Sequence, residues 1–141
     1  MAEAPTSPDQ IAGFAVEIGG ITVDGWTSIN IPASSTEPES GNGEDTWGET
    51  TFQDLEMERW LGTEDTMLYD WREAIADDNS DDGLKEVVIT AIGQDGSGAI
   101  KWTFEDAWIK YYEPPQLDIS DDGIVTERIS LGYDSMERET L

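Results

Sequence analysis

The sequence predicts an α+β fold that is mainly β: antiparallel strands forming a barrel or sandwich, with one flanking helix. Three observations carry this. Apolar residues alternate with period two in several segments, helical spacing occurs in a single stretch, and two strands, the apolar Lys85 to Gly93 and the aromatic-rich Ala99 to Tyr112, are joined by the short turn sequence QDGSG. At 141 residues the chain suits one domain with one core. Residues 1–13 read as a flexible, acidic, Pro-bearing arm and residues 14–141 as the domain.

Phe14, Val16 and Ile18 alternate with Ala15 and Glu17 in the first strand, and Gly19-Gly20 is placed to turn a hairpin into Ile21 to Ile31. Pro32 to Glu49 is rich in Ser, Glu, Gly and Pro and holds one isolated aromatic, Trp47. It is expected to be a long loop at 32–49 that orders against a partner. Thr51 to Gly62 resumes alternation, with Leu55, Met57 and Arg59 facing one way and Glu56, Glu58 and Trp60 the other. A helix should follow. Thr63 is the expected cap, Glu64 and Asp65 suit the positive end of the dipole, and Met67, Leu68, Trp71, Ala74 and Ile75 form its apolar stripe. The run DDNSDDG, Asp77 to Gly83, ends it.

Lys85 to Ile92 is almost continuously apolar, which implies cover on both faces. In its partner Ile100, Trp102 and Phe104 share a face. The alternation then slips near Glu105-Asp106, consistent with a β-bulge, before Ala107, Trp108, Ile109 and Tyr111. Pro114-Pro115 stops that strand, and Gly123 to Asp134 supplies the last one, with Ile129, Leu131 and Tyr133 alternating against Arg128 and Ser130.

Composition then narrows function. The chain carries 32 acidic and 7 basic side chains, a net charge of −25, and no His or Cys. Disulfides, thiolate metal sites and Ser-His or Cys-His nucleophiles are excluded, so the protein is not expected to be an enzyme or to hold a cofactor or metal. Among 32 acids some pair always looks catalytic, so paired carboxylates carry no information. A calcium-loop register on Asp78, Ser80, Asp82 and Gly83 puts Ile89 where the bidentate Glu belongs, which favours a helix-ending linker. No segment approaches the roughly 20 apolar residues of a membrane span, and MAEAPTSPDQ lacks the basic and apolar regions of a signal peptide.

Acidity spread through every segment points to a halophilic setting, because at ~1 M salt screening shortens to about 3 Å and self-repulsion fades. The sparse cations make phosphate-mediated binding to DNA improbable. One helix cannot cover every apolar strand face, so part of that surface is expected between subunits. Trp47 and Trp60 are assigned to subunit contact, whereas Trp71, Trp102 and Trp108 sit in patterns that predict core or interface.

Taken in order, these segments resemble the tail-tube proteins of contractile-tailed phages and the inner tubes of extracellular contractile injection systems, and more distantly the type VI secretion tube. The resemblance spans about Phe14 to Met136. Its most specific part is the strand WTFEDAWIK, with Trp102, Ala107, Trp108 and Lys110. Glu127, Ile129 and Leu131 resemble the terminal strand, LEMER with Arg59 the strand before the helix, Leu68 and Trp71 the helix, and Phe14, Val16, Ile18 and Gly20 the opening strand. Ile109 stands where Pro is usual, Trp60 where Gly is usual and Ser135 where Gly often occurs; the insert Pro32 to Thr46 also departs from the pattern.

The resemblance implies homohexameric rings that stack into a hollow tube, conducting viral DNA without specific binding, or protein effectors, through a contractile sheath. It implies sheath, baseplate and terminator partners, and a place in a virion tail or in a cytoplasmic injection particle. Ring stacking is assigned to the loop and arm, with Glu37, Glu39, Glu44, Asp45, Trp47 and Trp60 as contact candidates. Glu56 and Glu58 are candidates for the channel wall, where carboxylates would repel phosphates. Trp71, Trp102, Ala107, Trp108 and Leu131 form the fold signature. The alternative from another class is a monomeric halophilic β-barrel that binds a ligand or cation.

Overall fold

The computed structural model describes residues 10–39, 46–62, 65–77, 83–118 and 124–141. Among the described residues the elements run in the order β1 (Ile11–Ile18), β2 (Ile21–Thr22), β3 (Trp26–Asn30), β4 (Ser34–Glu39), β5 (Thr46–Phe52), β6 (Leu55–Trp60), α1 (Met67–Ala76), β7 (Lys85–Gly93), β8 (Gly98–Glu113), β9 (Thr126–Gly132) and β10 (Ser135–Thr140). The pairing is antiparallel in β1-β2, β1-β7, β7-β8, β8-β10, β3-β6, β6-β9 and β4-β5. Contacts divide the chain into two compact units, each assembled from separate stretches of sequence.

The first unit holds β1, β2, β7, the first part of β8, and β10, in the order β2-β1-β7-β8 with β10 on the other side of β8. Gly19 and Gly20 both adopt positive φ, 60° and 81°, which lets Ile18 and Ile21 face each other across the expected tight hairpin. Val16, Ile18, Val87, Ile89, Ala91, Phe104 and Ala107 are buried. On β7 the opposite face (Val88, Thr90, Ile92) is only half-buried, so the expected cover on both faces is partial within the chain. The predicted bulge is present. Lys85 pairs with Ala107 while Val87 pairs with Phe104, so β8 spends one extra residue there, and Asp106 sits at φ 51°. At the turn before β8, Asp95 Oδ1 accepts from Ser97 N at 3.0 Å and Oγ at 2.8 Å, with Gly96 at φ 87°.

The second unit contains β3, β6, β9, the end of β8, most of α1, and a separate two-stranded ribbon, β4-β5. Leu55, Met57, Leu68, Trp71, Ile109, Ile129 and Leu131 are buried. Strand β6 has the face assignment read from its alternation, with Leu55, Met57 and Arg59 buried and Glu56 and Trp60 exposed. The helix is capped by Asp65, whose Oδ1 accepts from Met67 N at 3.1 Å; Thr63, the expected cap, and Glu64 lie outside the described residues.

Four expectations are corrected. The first strand begins at Ile11, three residues into the expected arm, because Ile11 already pairs with Gly93. Ile21 to Ile31 is two strands, interrupted where Gly25 adopts φ 91°. The span 32–49 carries β4 and the start of β5 instead of a plain loop. Its ladder is held by hydroxyl pairs, Thr36–Thr50 at 2.6 Å and Ser35–Thr51 at 3.2 Å, and with both faces exposed it has no apolar period to read. Strand β10, largely polar, continues the chain past the expected last strand by pairing with β8 through its backbone.

Candidate functional site

The three-stranded ladder β3-β6-β9 has two chemically distinct faces. On one, register aligns Ser28 with Glu58 and Arg128, Asn30 with Glu56 and Ser130, and Trp60 with Thr126. Glu58 is held by Thr126 Oγ1 at 2.8 Å and Arg128 Nη2 at 3.3 Å. The Thr126 hydroxyl first, then Arg128, keep its carboxyl below the ordinary range. Asn30 Nδ2 donates to Glu56 Oε2 at 3.5 Å, and Glu56 has no ion pair among the described residues. The two channel-wall candidates thus share a polar, solvent-open face, but only Glu56 lacks a cation.

The opposite face buries a charge cluster. Arg59, whose side chain is 5 % exposed, forms an ion pair with Asp65, and its Nε lies 3.9 Å from Oε1 of the buried Glu127. Tyr112 Oη donates to Glu127 Oε2 at 2.7 Å. Burial, then that bond to Glu127, push the Tyr112 hydroxyl up to about 12. The Trp26 ring lies 5.5 Å from Arg59 Cζ, a cation–π distance. Arg59 Nε and Nη1 make no hydrogen bond. Asp65 is held below its ordinary range by Arg59 first and the Met67 N–H second. Arg59 stood out in the sequence as a basic position; Asp65, Glu127 and Tyr112 as its surroundings did not. Cross-strand register puts Glu127 opposite Arg59, and separate alternation in the two strands could not reveal that pairing.

Of the contact candidates, Trp60 follows Arg59 on the other face of β6, and Glu37, Glu39 and Trp47 belong to the ribbon. Trp47 is 77 % exposed on the ribbon, opposite Pro38. Glu37 is exposed beside it, Glu39 ends β4, and Glu44 and Asp45 lie outside the described residues. Gly48 approaches Glu37 so closely that an added Cβ would sit 2.8 Å from its carbonyl oxygen. Trp60 is 55 % exposed at the end of β6. Of the fold signature, Trp71, Ala107 and Leu131 are buried, and Trp102 and Trp108 are half-buried on β8. Lys110 Nζ reaches Asp54 Oδ1 at 3.1 Å, and Ile109, in the position where Pro is usual, is buried and accepts Arg72 Nη1 at 3.1 Å on its carbonyl.

Among the described residues no group of three or more acidic side chains is arranged to hold a metal ion, and no helix is long and apolar enough to cross a membrane. Of the calcium-loop register, Asp78, Ser80 and Asp82 lie outside the described residues, and Ile89 is buried in β7.

The profile of the T4-like virus tail tube protein gp19 matches residues 12–137. The chain belongs to that tail tube family. The family is structural and its members are not enzymes. No curated protein sequence matches significantly. The tail-tube fold is shared with solved structures of low identity. The cap that terminates the tube of the anti-feeding prophage aligns with TM-score 0.77 at 19 % identity, over 100 % of this chain and 97 % of that one. A chain of the PVC sheath-tube complex, from an extracellular contractile injection system, aligns with TM-score 0.77 at 17 % identity, over 96 % and 94 %. Hcp1 from Flavobacterium johnsoniae aligns with TM-score 0.67 at 15 % identity, over 90 % and 94 %.

Proposed function

We propose that this tail tube protein closes into six-membered rings that stack into a hollow tube, and that the tube conducts viral DNA or protein effectors inside a contractile sheath. The ribbon β4-β5 carries the reading. A two-stranded ribbon alone is marginal in water, yet this one is exposed throughout its described side chains and displays Trp47. Such a ribbon gains cover from a neighbouring copy, and we assign it, with residues 1–9, to ring stacking. The polar face of β3-β6-β9 is the proposed channel wall, with Glu58 balanced by Arg128 and Glu56 in no ion pair of its own chain among the described residues.

Sheath, baseplate and terminator proteins are the proposed partners, and the particle is a virion tail or an injection device. We place it in a salt-rich medium, because copies of net charge −25 must come together.

Replacing residues 34–52 by a short Gly-Ser turn tests the stacking role. The variant is expected to keep a cooperative thermal melt and its rings, and to form no tubes in negative stain. Tubes of normal length from this variant would refute the assignment. A wild-type chain that stays monomeric at every concentration and salt level would favour the self-contained barrel instead.

A further inference from the structure

A cavity of about 390 Å³ opens where the ribbon leaves the β3-β6 ladder, lined by Asn30, Ile31, Pro32, Gln53, Asp54 and Glu56. The lining combines two carboxylates and two amides with the apolar Ile31, Pro32 and Ala33. That chemistry suits a long cationic side chain, whose stem packs on the apolar residues while its head meets the acids. Asp54 already holds Lys110, whereas Glu56 accepts from the Asn30 amide and makes no ion pair among the described residues.

The chain has seven basic residues, and most are committed. Arg59 is sealed in the buried cluster, Arg72 serves the Ile109 carbonyl, Lys110 pairs with Asp54, and Arg128 pairs with Glu58. Lys85, Lys101 and Arg138 make no ion pair among the described residues. Lys85 is half-buried, with its Cδ 3.8 Å from where a Cβ on Gly19 would lie. Lys101 has Glu139 directly across the ladder. Arg138 differs from both. It is exposed, its cross-strand neighbour is Trp102, and among the described residues its strand β10 pairs with β8 alone.

We propose that this cavity receives Arg138 of a neighbouring copy, with its guanidinium on Glu56. The inference rests on the reading of the protein as a self-assembling tube subunit and names the contact that carries it. Donor and acceptor lie on different surfaces, β10 and the cavity, so the contact is heterologous. Each subunit gives an arginine to the next and receives one from the previous, and the series ends only by closing into a ring.

A charge swap in the full chain tests this. E56R and R138E are each expected to raise the concentration for half-maximal assembly about tenfold or more, the scale of one lost charge pair. E56R/R138E, which restores the original net charge, should return it to near the wild-type value. E17R/R138E has the same net charge with the new arginine on the exposed face of β1, and should not. Circular dichroism and melting temperature establish folding, and if a swapped single variant misfolds, E56Q and R138Q replace the pair in a double-mutant cycle. A double variant no better than the poorer single, or equal rescue by E17R, overturns the contact while leaving the assembly reading intact. A wild-type chain that forms no rings overturns both.

Discussion

At Arg59 an ordinary surface residue type becomes a structural one. A buried guanidinium must be compensated, and here Asp65, Glu127 and the Trp26 ring share the task while Nε and Nη1 lack hydrogen bonds. Asp65 serves two elements, because the same carboxylate caps α1 and pairs with Arg59. Its pKa is lowered in the fold, so its contribution is fully present above the unfolded value of 3.8 and is lost as pH falls through the folded one. Asp65→Asn should therefore lower the melting temperature at neutral pH and flatten its dependence between pH 5 and pH 2. Asp65→Ala should cost about 1 kcal/mol more, the usual worth of a cap. Thermal melts across that range decide it, and an unchanged acid limb in Asp65→Asn would exclude this role.

Strand β8 shows how one residue shapes an element. Sixteen residues long, it belongs to the first unit up to Trp108 and to the second from Ile109, and the bulge at Glu105-Asp106 resets which side chains face inward. Phe104 and Ala107 are both buried only because an extra residue intervenes. Asp106 adopts a left-handed backbone, which Asp tolerates and a β-branched residue does not. Asp106→Val should destabilise by about 1–2 kcal/mol, whereas Asp106→Gly should be near neutral, as read by urea unfolding. Equal stability of all three would mean that the bulge relaxes freely. The ribbon β4-β5 illustrates the opposite balance, a ladder of hydroxyl pairs with no apolar face to anchor it.

For the whole molecule charge is the dominant condition. Thirty-two acids against seven bases leave a net charge of −25, which repels itself within the chain and repels a second copy. The cluster of Glu86, Glu105, Asp106 and Glu137 is a local instance. A hydrogen bond that protonated Glu105 donates to Glu86 first, then desolvation, and the charges of Glu86, Asp106 and Glu137 after them, raise the Glu105 pKa, so this group opposes the fold once ionised and that opposition is relieved in acid. Raising KCl from 0.1 to 1 M shortens the screening length from about 10 Å to about 3 Å. The melting temperature and the assembled fraction should both rise over that interval, measured by calorimetry and sedimentation velocity. Assembly that weakens with added salt would contradict a repulsion-limited interface.

What the sequence alone determined follows from local rules. Alternation set the mainly β class and the buried face of β6, paired glycines marked the first hairpin, a slip in period marked the bulge, and the spacing of Leu68 and Trp71 marked the helix. The channel-wall candidates Glu56 and Glu58 were legible as one face for the same reason. Tertiary structure decided what no local period encodes: β10 on β8, the hydroxyl-paired ribbon, the break at Gly25, Glu127 opposite Arg59, and Arg128 on Glu58. Each depends on which distant backbone lies alongside. Register between strands is set by the whole ladder, whereas alternation within a strand reports only which way its own side chains point.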